Sequence, residues 1–340
     1  MAGRFPILVT GGAGFIGSHA CKALRQAGYL PVTLDNLSTG HREAVKWGPM
    51  VSADVRNQAA VSEAIRGHGI RTVMHFAASA YVGESVAQPA FYYDNNAGGM
   101  ISLINACLET GVDRLVFSSS CATYGSPSEG PIREDTPQAP INPYGRSKLM
   151  CEEMLRDCSA AHGLRFAALR YFNAAGADPD GELCERHDPE THLLPLALQA
   201  ASGQRGALQV FGTDYATRDG SCERDYIHVS DLAQGHVLAA DYLARGGAST
   251  ALNLGSGTGH TIFEVLETIR QVTGAPVPHD LAPRRAGDPP SLTADPALAH
   301  KTLGFRTLRS GLHQIIRDAA PSFGLPVPSE EARHEPHAAA

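Results

Sequence analysis

Tyr144 and Lys148 lie four residues apart in the run Tyr144-Gly145-Arg146-Ser147-Lys148. On a helix that spacing puts both side chains on one face. A phenol at its free pKa of about 10 is a poor base near neutrality. A neighbouring ammonium, joined by any second cation, favours the phenolate and makes it a usable base. Such a group can take a proton from an alcohol as hydride leaves the same carbon. Tyrosine and lysine at this spacing are common by chance, so the pair needs company. Ser120, the last of Ser118-Ser119-Ser120, supplies it. It follows the apolar run Arg114–Phe117, where a parallel strand would end and where such folds place ligands. Its hydroxyl can bond and orient the reacting alcohol.

A second constellation sits at the start of the chain. Gly11, Gly14 and Gly17 punctuate Thr10-Gly11-Gly12-Ala13-Gly14-Phe15-Ile16-Gly17. They allow a tight turn, close approach of a pyrophosphate to backbone, and close helix–sheet packing. The helix that opens at Phe15 and Ile16 offers unpaired N–H groups and a positive dipole end. A glycine triplet alone is a turn; after a strand and before a helix it is a dinucleotide loop. Asp35 comes 18 residues after Gly17. A carboxylate there holds both hydroxyls of an adenosine ribose and repels a 2′-phosphate, which selects NAD over NADP. Asp54, with Val55, follows the expected third strand and faces the adenine or, equally, solvent.

These residues need a scaffold. Phe5–Thr10, Leu30–Leu34, Thr72–Phe76, Arg114–Phe117 and Arg165–Leu169 read as short buried strands. Helical stretches at about 14–27, 89–110 and 144–162 lie between them. Alternating strands and helices imply a parallel, doubly wound α/β sheet. After about Tyr171 the loops lengthen. Strand-like pieces at 208–210, 226–229 and 252–254 alternate with helices near 193–202, 230–244 and 261–273. The expected division is residues 1–175 as the dinucleotide unit, with about 224–255 returning to it, and 176–325 as a smaller α/β substrate lobe. Residues 326–340, rich in Pro, Glu, His and Ala, read as a loose tail. His334 and His337 there have no further ligand pattern beside them, so no metal is expected.

With these residues quoted, the chain resembles the extended short-chain dehydrogenase/reductases, and within them the UDP-glucose 4-epimerase family. The resemblance rests on TGGAGFIGSH (10–19), LDNLSTG (34–40), HFAA (75–78), VGES (82–85), YYDNN (92–96), SSSCATYG (118–125), NPYGRSK (142–148), LRYFNAAGA (169–177), RDYIHVSDLA (224–233), NLGSG (253–257) and APRRAGDPP (282–290). It implies a Rossmann-type fold and a tightly held NAD that is not consumed. By the resemblance Tyr144 takes the proton of the sugar 4-hydroxyl, and hydride passes from C4 to NAD. The 4-keto sugar then turns about its pyrophosphate link and hydride returns to the opposite face. Lys148 tunes the tyrosine, and Ser120 bonds the hydroxyl. Asp35, Asn36, Asp54, Phe76, Ala77, Ala78, Asn95, Tyr171 and Phe172 line NAD with Tyr144 and Lys148. One departure is visible: many relatives carry lysine where Ala80 stands.

The resemblance also supplies a grip for a UDP-sugar. Arg224 and Arg285 are set to clamp the pyrophosphate, since a guanidinium fork fits phosphate oxygens. Asn173 bonds phosphate or sugar, Asp288 holds the uridine ribose, and Gln209, Phe211 and Tyr226 border the nucleotide. His192, where many relatives have asparagine, and Leu193 touch the sugar or phosphate. Leu292 stands where the family varies residue size beside the sugar. Leucine is intermediate, so N-acetylated sugars stay open, and UDP-xylose and UDP-arabinose epimerases share several of these segments. A dehydratase would need an Asp-Glu pair where Cys121 and Ala122 stand, and a decarboxylase a Thr/Ser-Glu pair. A non-enzymatic NAD sensor would have lost the tyrosine or lysine.

Composition narrows the rest. The 340 residues are 43% hydrophobic and 19% charged, an ordinary globular balance. The net charge of -7 and the lack of a basic block argue against nucleic acid as a partner. No apolar run approaches the length of a membrane span, and the first residues do not read as a signal peptide. Seven cysteines without a C-x-x-C pair suit a reducing compartment, hence a cytoplasmic location. The family resemblance implies a homodimer through helices of the first lobe.

Overall fold

Pro6–Thr10 (β1) is buried at four of its five positions, as a strand covered on both faces requires. It begins the first sheet of the chain, whose computed structural model describes residues 5–127, 130–285 and 288–328. The strands are β1, Leu30–Asp35 (β2), Met50–Ser52 (β3), Thr72–His75 (β4), Arg114–Ser120 (β5), Arg165–Tyr171 (β6), Asn173–Ala175 (β7), Leu208–Phe211 (β8), Glu223–His228 (β9), Thr250–Leu254 (β10), Gly259–Thr261 (β11), His279–Ala282 (β12) and Ser291–Leu292 (β13). The α-helices are Phe15–Gln26 (α1), Gln58–His68 (α2), Val82–Ala87 (α3), Pro89–Tyr92 (α4), Gly99–Thr110 (α5), Pro143–His162 (α6), Leu193–Ala201 (α7), Val229–Ala244 (α8), Ile262–Thr273 (α9), Ala297–Leu303 (α10) and Leu312–Ala319 (α11).

Seven strands form one parallel sheet in the order β10-β6-β5-β4-β1-β2-β3. Side chains alternate across it. Leu8, Val73, Leu115 and Phe166 face a core with Val61, Ile65, Leu103 and Leu155 of α2, α5 and α6. Ile7, Val9, Met74, Val116 and Leu169 face the opposite core with Leu24 of α1 and Leu232 and Leu243 of α8. Strand order reverses between β1 and β4, which opens a crevice beyond their carboxyl ends. The doubly wound sheet expected from the sequence is the one found.

Two local differences stand out. The helix expected over about 89–110 is broken: α4 passes through a π-helical turn, Tyr93–Gly98, before α5. A Cβ at Gly99 would lie 2.9 Å from Val55 Cγ1, so the helix packs too closely there for a side chain. The π turn carries Asn95 and Asn96; Asn96 accepts from Ser79 N at 2.8 Å and donates to Ser147 Oγ at 3.0 Å. The segment expected to return to the first unit, about 224–255, is divided. α8 and β10 belong with the large sheet, whereas β9 pairs with β7, β11 and β13 in a separate sheet. That sheet, the β8–β12 pair and helices α7, α9 and α11 enclose their own core, including Leu198, Val210, Val265, Ile269 and Ile316. Most of the expected tail, 329–340 with His334 and His337, lies outside the described residues. Among the described residues no helix is long and apolar enough to cross a membrane.

Candidate active site

The end of β5 and the start of α6 meet at the centre of the crevice. Asn142 caps α6 by accepting from Gly145 N at 2.8 Å, and Pro143 occupies the first turn, a favoured pairing of cap and proline. Tyr144 therefore leaves the helix at its first turn. A Cβ at Gly145 would stand 2.4 Å from Ala122 O. Only glycine lets this turn close onto Cys121–Thr123, and that approach sets the Tyr144 phenol beside Ser120. Ser120 accepts from Ala122 N at 3.1 Å. Lys148, one turn on, donates from Nζ to the Ser118 carbonyl at 2.8 Å and lies 5.9 Å from the Tyr144 ring centroid. All three side chains are buried.

Burial dominates their protonation. It pushes the Tyr144 phenol well above its ordinary range, against the lowering effect of the Ser120 hydrogen bond. It pushes the Lys148 ammonium down to about 8. Behind them runs a polar network that sequence reading did not single out. Glu152, fully buried one turn beyond Lys148, accepts from Ser119 Oγ at 2.6 Å and from Arg170 of β6 at 2.9 and 2.6 Å. Burial raises the Glu152 carboxyl, but the Arg170 guanidinium outweighs it and the net direction is down. Arg170 also donates to Tyr124, which donates to Asn253 of β10, at 2.7 Å each. The network ties α6 to β5, β6 and β10, so Tyr144 and Ser120 share one rigid frame. In the sequence, Glu152 carries no motif of its own.

The glycine loop fits a pyrophosphate. Gly11 has φ +71°, and a Cβ there would meet Ala77 N at 2.6 Å. A Cβ at Gly17 would lie 2.1 Å from Gly11 O, whereas one at Gly14 meets protein only at 3.4 Å. Gly14 thus faces the open side. No side chain caps α1, so the N–H groups of Phe15, Ile16 and Gly17 are left for an anion. Asp35 accepts from Ala13 N at 3.0 Å and Leu37 N at 2.8 Å, which fixes its carboxylate at the end of β2. Asn36 donates to Asp54 at 3.0 Å, and Arg56 pairs with Asp54 at 2.8 Å; the Arg56 hydrogen bonds hold the Asp54 carboxyl below the usual carboxylate range. Val55 is buried beneath. Phe76 and Ala77 follow β4, both donating backbone N–H to Thr10 O, with Ala78 half-buried beside them. Asn95 donates to Ser79 at 3.2 Å, and Ser118 and Tyr171 share a hydrogen bond between hydroxyls. Ala80 is exposed and Phe172 buried.

The second lobe supplies two candidate cations. Arg224 of β9 pairs with Asp288 at 3.4 Å and donates to Pro289 O at 2.9 Å. Arg285 stacks over the Phe211 ring at 3.9 Å. Gln209, two residues before Phe211 on the same strand face, donates to Asp280 at 3.0 Å. Asn173 pairs in register with Tyr226, whose ring is buried in the lobe's core, and burial pushes its phenol up. Leu292 pairs with Arg224 and packs against the small core cluster that includes Cys121, Tyr124 and Phe172. His192 occupies the N-cap position of α7, just before Leu193, without a side-chain cap, and its Nδ1 lies 3.0 Å from Glu185 and 2.9 Å from Glu190. The sequence reading missed these two carboxylates.

Residues 7–255 match the family described as NAD dependent epimerase/dehydratase family. The chain belongs to this family. A UDP-glucose 4-epimerase of Rhizobium meliloti (strain 1021) is 54% identical over 88% of this chain and 91% of its own length. A crystal structure of UDP-glucose 4-epimerase from Brucella ovis in complex with NAD has a TM-score of 0.94 and 57% identity, covering 96% of this chain and 100% of that one. The UDP-glucose-4-epimerase from Stenotrophomonas maltophila, solved with NAD and formylated UDP-arabinopyranose, gives 0.92 and 40% over 94% and 98%. In this epimerase/dehydratase family member the structure gathers Ser120, Tyr144 and Lys148 at one strand end. It also brings together Arg224 with Asp288, and Arg285 with Phe211.

Proposed function

We propose that this chain is a UDP-glucose 4-epimerase that interconverts UDP-glucose and UDP-galactose and retains NAD as its cofactor. The observation that carries the reading is the buried Ser120–Tyr144 contact with Lys148 one turn away, on a chain that aligns over most of its length with curated UDP-glucose 4-epimerases. When bound, NAD accepts a hydride from C4 of the sugar and gives it back. Gly11, Gly14, Phe15, Ile16 and Gly17 would hold its pyrophosphate, and Asp35 its adenosine ribose. Tyr144 takes the proton of the 4-hydroxyl and later returns it. Ser120 orients that hydroxyl, and Lys148 supplies part of the charge that makes Tyr144 a base. Arg224 and Arg285 hold the pyrophosphate of the substrate while Asp288 holds its ribose. With the nucleotide fixed, the 4-keto sugar is free to turn and present its other face.

The test is direct. Purified protein is incubated with UDP-galactose and no added NAD. Formation of UDP-glucose supports the epimerase; bound NAD without turnover would favour a sensor. A second reading, epimerisation of UDP-xylose and UDP-arabinose, is favoured by the arabinopyranose bound in the Stenotrophomonas structure and by the intermediate size of Leu292, which packs against the cluster holding Cys121 and Phe172. Side-by-side rates on UDP-galactose, UDP-xylose and UDP-GlcNAc separate these substrates. Exposed Phe91 of α4, Ile101 of α5 and Met150 of α6 support a homodimer through helices of the first lobe, which light scattering of the full chain tests. Five buried and two half-buried free cysteines support a cytoplasmic location.

A further inference from the structure

Around His192, expected from the sequence to reach the sugar or phosphate, Glu185, His187, Glu190 and His192 converge. One donor atom from each lies within 4.8 Å of all the others. His192 Nδ1 stands 2.9 Å from Glu190 Oε1 and 3.0 Å from Glu185 Oε1; His187 Nδ1 stands 3.2 Å from Glu185 Oε1 and 3.4 Å from Glu190 Oε2. Each imidazole nitrogen thus faces two carboxylates, yet one N–H can point well at only one acceptor. The arrangement leaves groups unserved. His187 Nδ1 is buried and makes no hydrogen bond of acceptable geometry, and Glu185 Oε2, on a side chain 3% exposed, has no partner. A buried polar atom without a partner is destabilising, and here two sit in one cluster.

A single cation at the centre would serve all four groups. Tetrahedral zinc with bonds of 2.0–2.2 Å sets its donors about 3.3–3.6 Å apart; the four imidazole–carboxylate separations of 2.9–3.4 Å lie at or somewhat below that span, and all four donors lie within 4.8 Å of one another. Two imidazoles and two carboxylates also balance a divalent charge. The other acidic cluster gives the contrast. Asp178, Asp180 and Glu182 surround the Lys22 ammonium at 2.6–2.8 Å, so a cation of the protein's own already fills the centre and that cluster carries no site. We propose that Glu185, His187, Glu190 and His192 bind one divalent cation of the zinc class.

The site has a structural consequence. The His187 ring meets the edge of Phe15, on the glycine loop, at 6.3 Å and that of Tyr81 at 5.9 Å. Arg186 between the ligands pairs with Glu43 at 2.7 Å, and its carbonyl is 3.2 Å from His41 Nε2. A cation would fix residues 185–192 of the second lobe across the dinucleotide loop of the first. The inference does not depend on which sugar, if any, the chain epimerises.

Untagged full-length protein, stripped with chelator, is titrated calorimetrically with zinc chloride. The expected result is one Zn²⁺ per chain. Loss of a second-sphere partner already weakens metal sites 10–100-fold, so Glu185→Gln and His187→Gln should each weaken binding by at least about 100-fold. Circular dichroism identifies a variant that has failed to fold. Cobalt(II) added to the stripped wild-type chain should give the intense d–d absorption of a four-coordinate site, a readout that needs no variant. Absence of that band, no stoichiometric zinc, or equal zinc binding by wild type and both folded variants would overturn the proposal.

Discussion

Replacing Lys148 by methionine removes a buried charge while keeping most of the side-chain volume. The ammonium lies 5.9 Å from the Tyr144 ring centroid. At an effective dielectric constant of about 20, a unit charge at that distance favours the phenolate by about 3 kcal/mol. That equals about two pKa units, or about 100-fold less phenolate in the variant wherever the wild-type lysine is charged. Burial holds the lysine at about 8, so its contribution is complete below that pH and fades above it. Turnover of UDP-galactose by Lys148→Met should therefore be about 100-fold below wild type near neutrality, and the gap should close as pH rises through about 8. The variant also leaves the Ser118 carbonyl without its 2.8 Å donor, at a cost of about 1–3 kcal/mol of stability, which thermal melting reads separately. A wild-type to variant ratio that stays constant with pH, with NAD content and fold intact, refutes the electrostatic role and leaves Lys148 a structural hydrogen-bond donor.

Four further substitutions probe other parts of the frame. Tyr144→Phe removes the proton acceptor; turnover should fall by about 10²–10⁴ with unchanged circular dichroism and bound NAD, and near-normal rates contradict the assignment. Gly14→Ala places a Cβ only 3.4 Å from protein but on the open side of the loop, whereas Gly17→Ala places one 2.1 Å from Gly11 O. The first should melt like wild type yet be isolated with less NAD and the second should lose stability outright, so equal melting of the two contradicts the loop geometry. Glu152→Gln leaves Arg170 buried without its counter-charge, which should cost about 3–5 kcal/mol in denaturant titrations. Because the folded-state pKa of Glu152 lies below its unfolded value, its stabilisation is full above the ordinary glutamate pKa of about 4.3 and is lost as pH falls through the folded one. The wild-type advantage over Glu152→Gln should shrink in acid, and a pH-independent gap refutes the ion-pair account.

The parts of this chain legible in the sequence are those governed by short-range rules. The strand-loop-helix order around Gly11, Gly14 and Gly17 announces its own geometry, because only glycine fits where a Cβ would strike Ala77 or Gly11. Tyr144 and Lys148 were legible because helical spacing fixes their relation. What escaped depends on pairing across the chain. Glu152 and Arg170 are separated by a loop and meet only because β6 lies beside β5, over whose serines α6 packs. Glu185 and Glu190 read as loop acids until folding aims both at His192. The π turn at Tyr93–Gly98 adjoins the close approach of Gly99 to Val55, a tertiary contact invisible to local periodicity. β9 was assigned to the wrong sheet for the same reason: one strand's apolar pattern does not say which partner will pair with it.

The electrostatics also bear on why the cofactor should stay bound. The chain by itself does not make Tyr144 a base: burial lifts the phenol above its free value, and Lys148 returns only about two units. A second positive charge must come from the oxidised nicotinamide, so the phenolate is available when the cofactor is bound and oxidised. Proton removal and hydride removal are then coupled by charge rather than by motion of the protein. A chain that released NAD each cycle would raise the pKa of its own base each time. In this reading retention of the cofactor is part of the acid–base machinery, and the rigid Glu152–Arg170 frame, which holds Ser120, Tyr144 and Lys148 at fixed separations, is what lets so modest a charge effect be used twice, once in each direction of proton transfer.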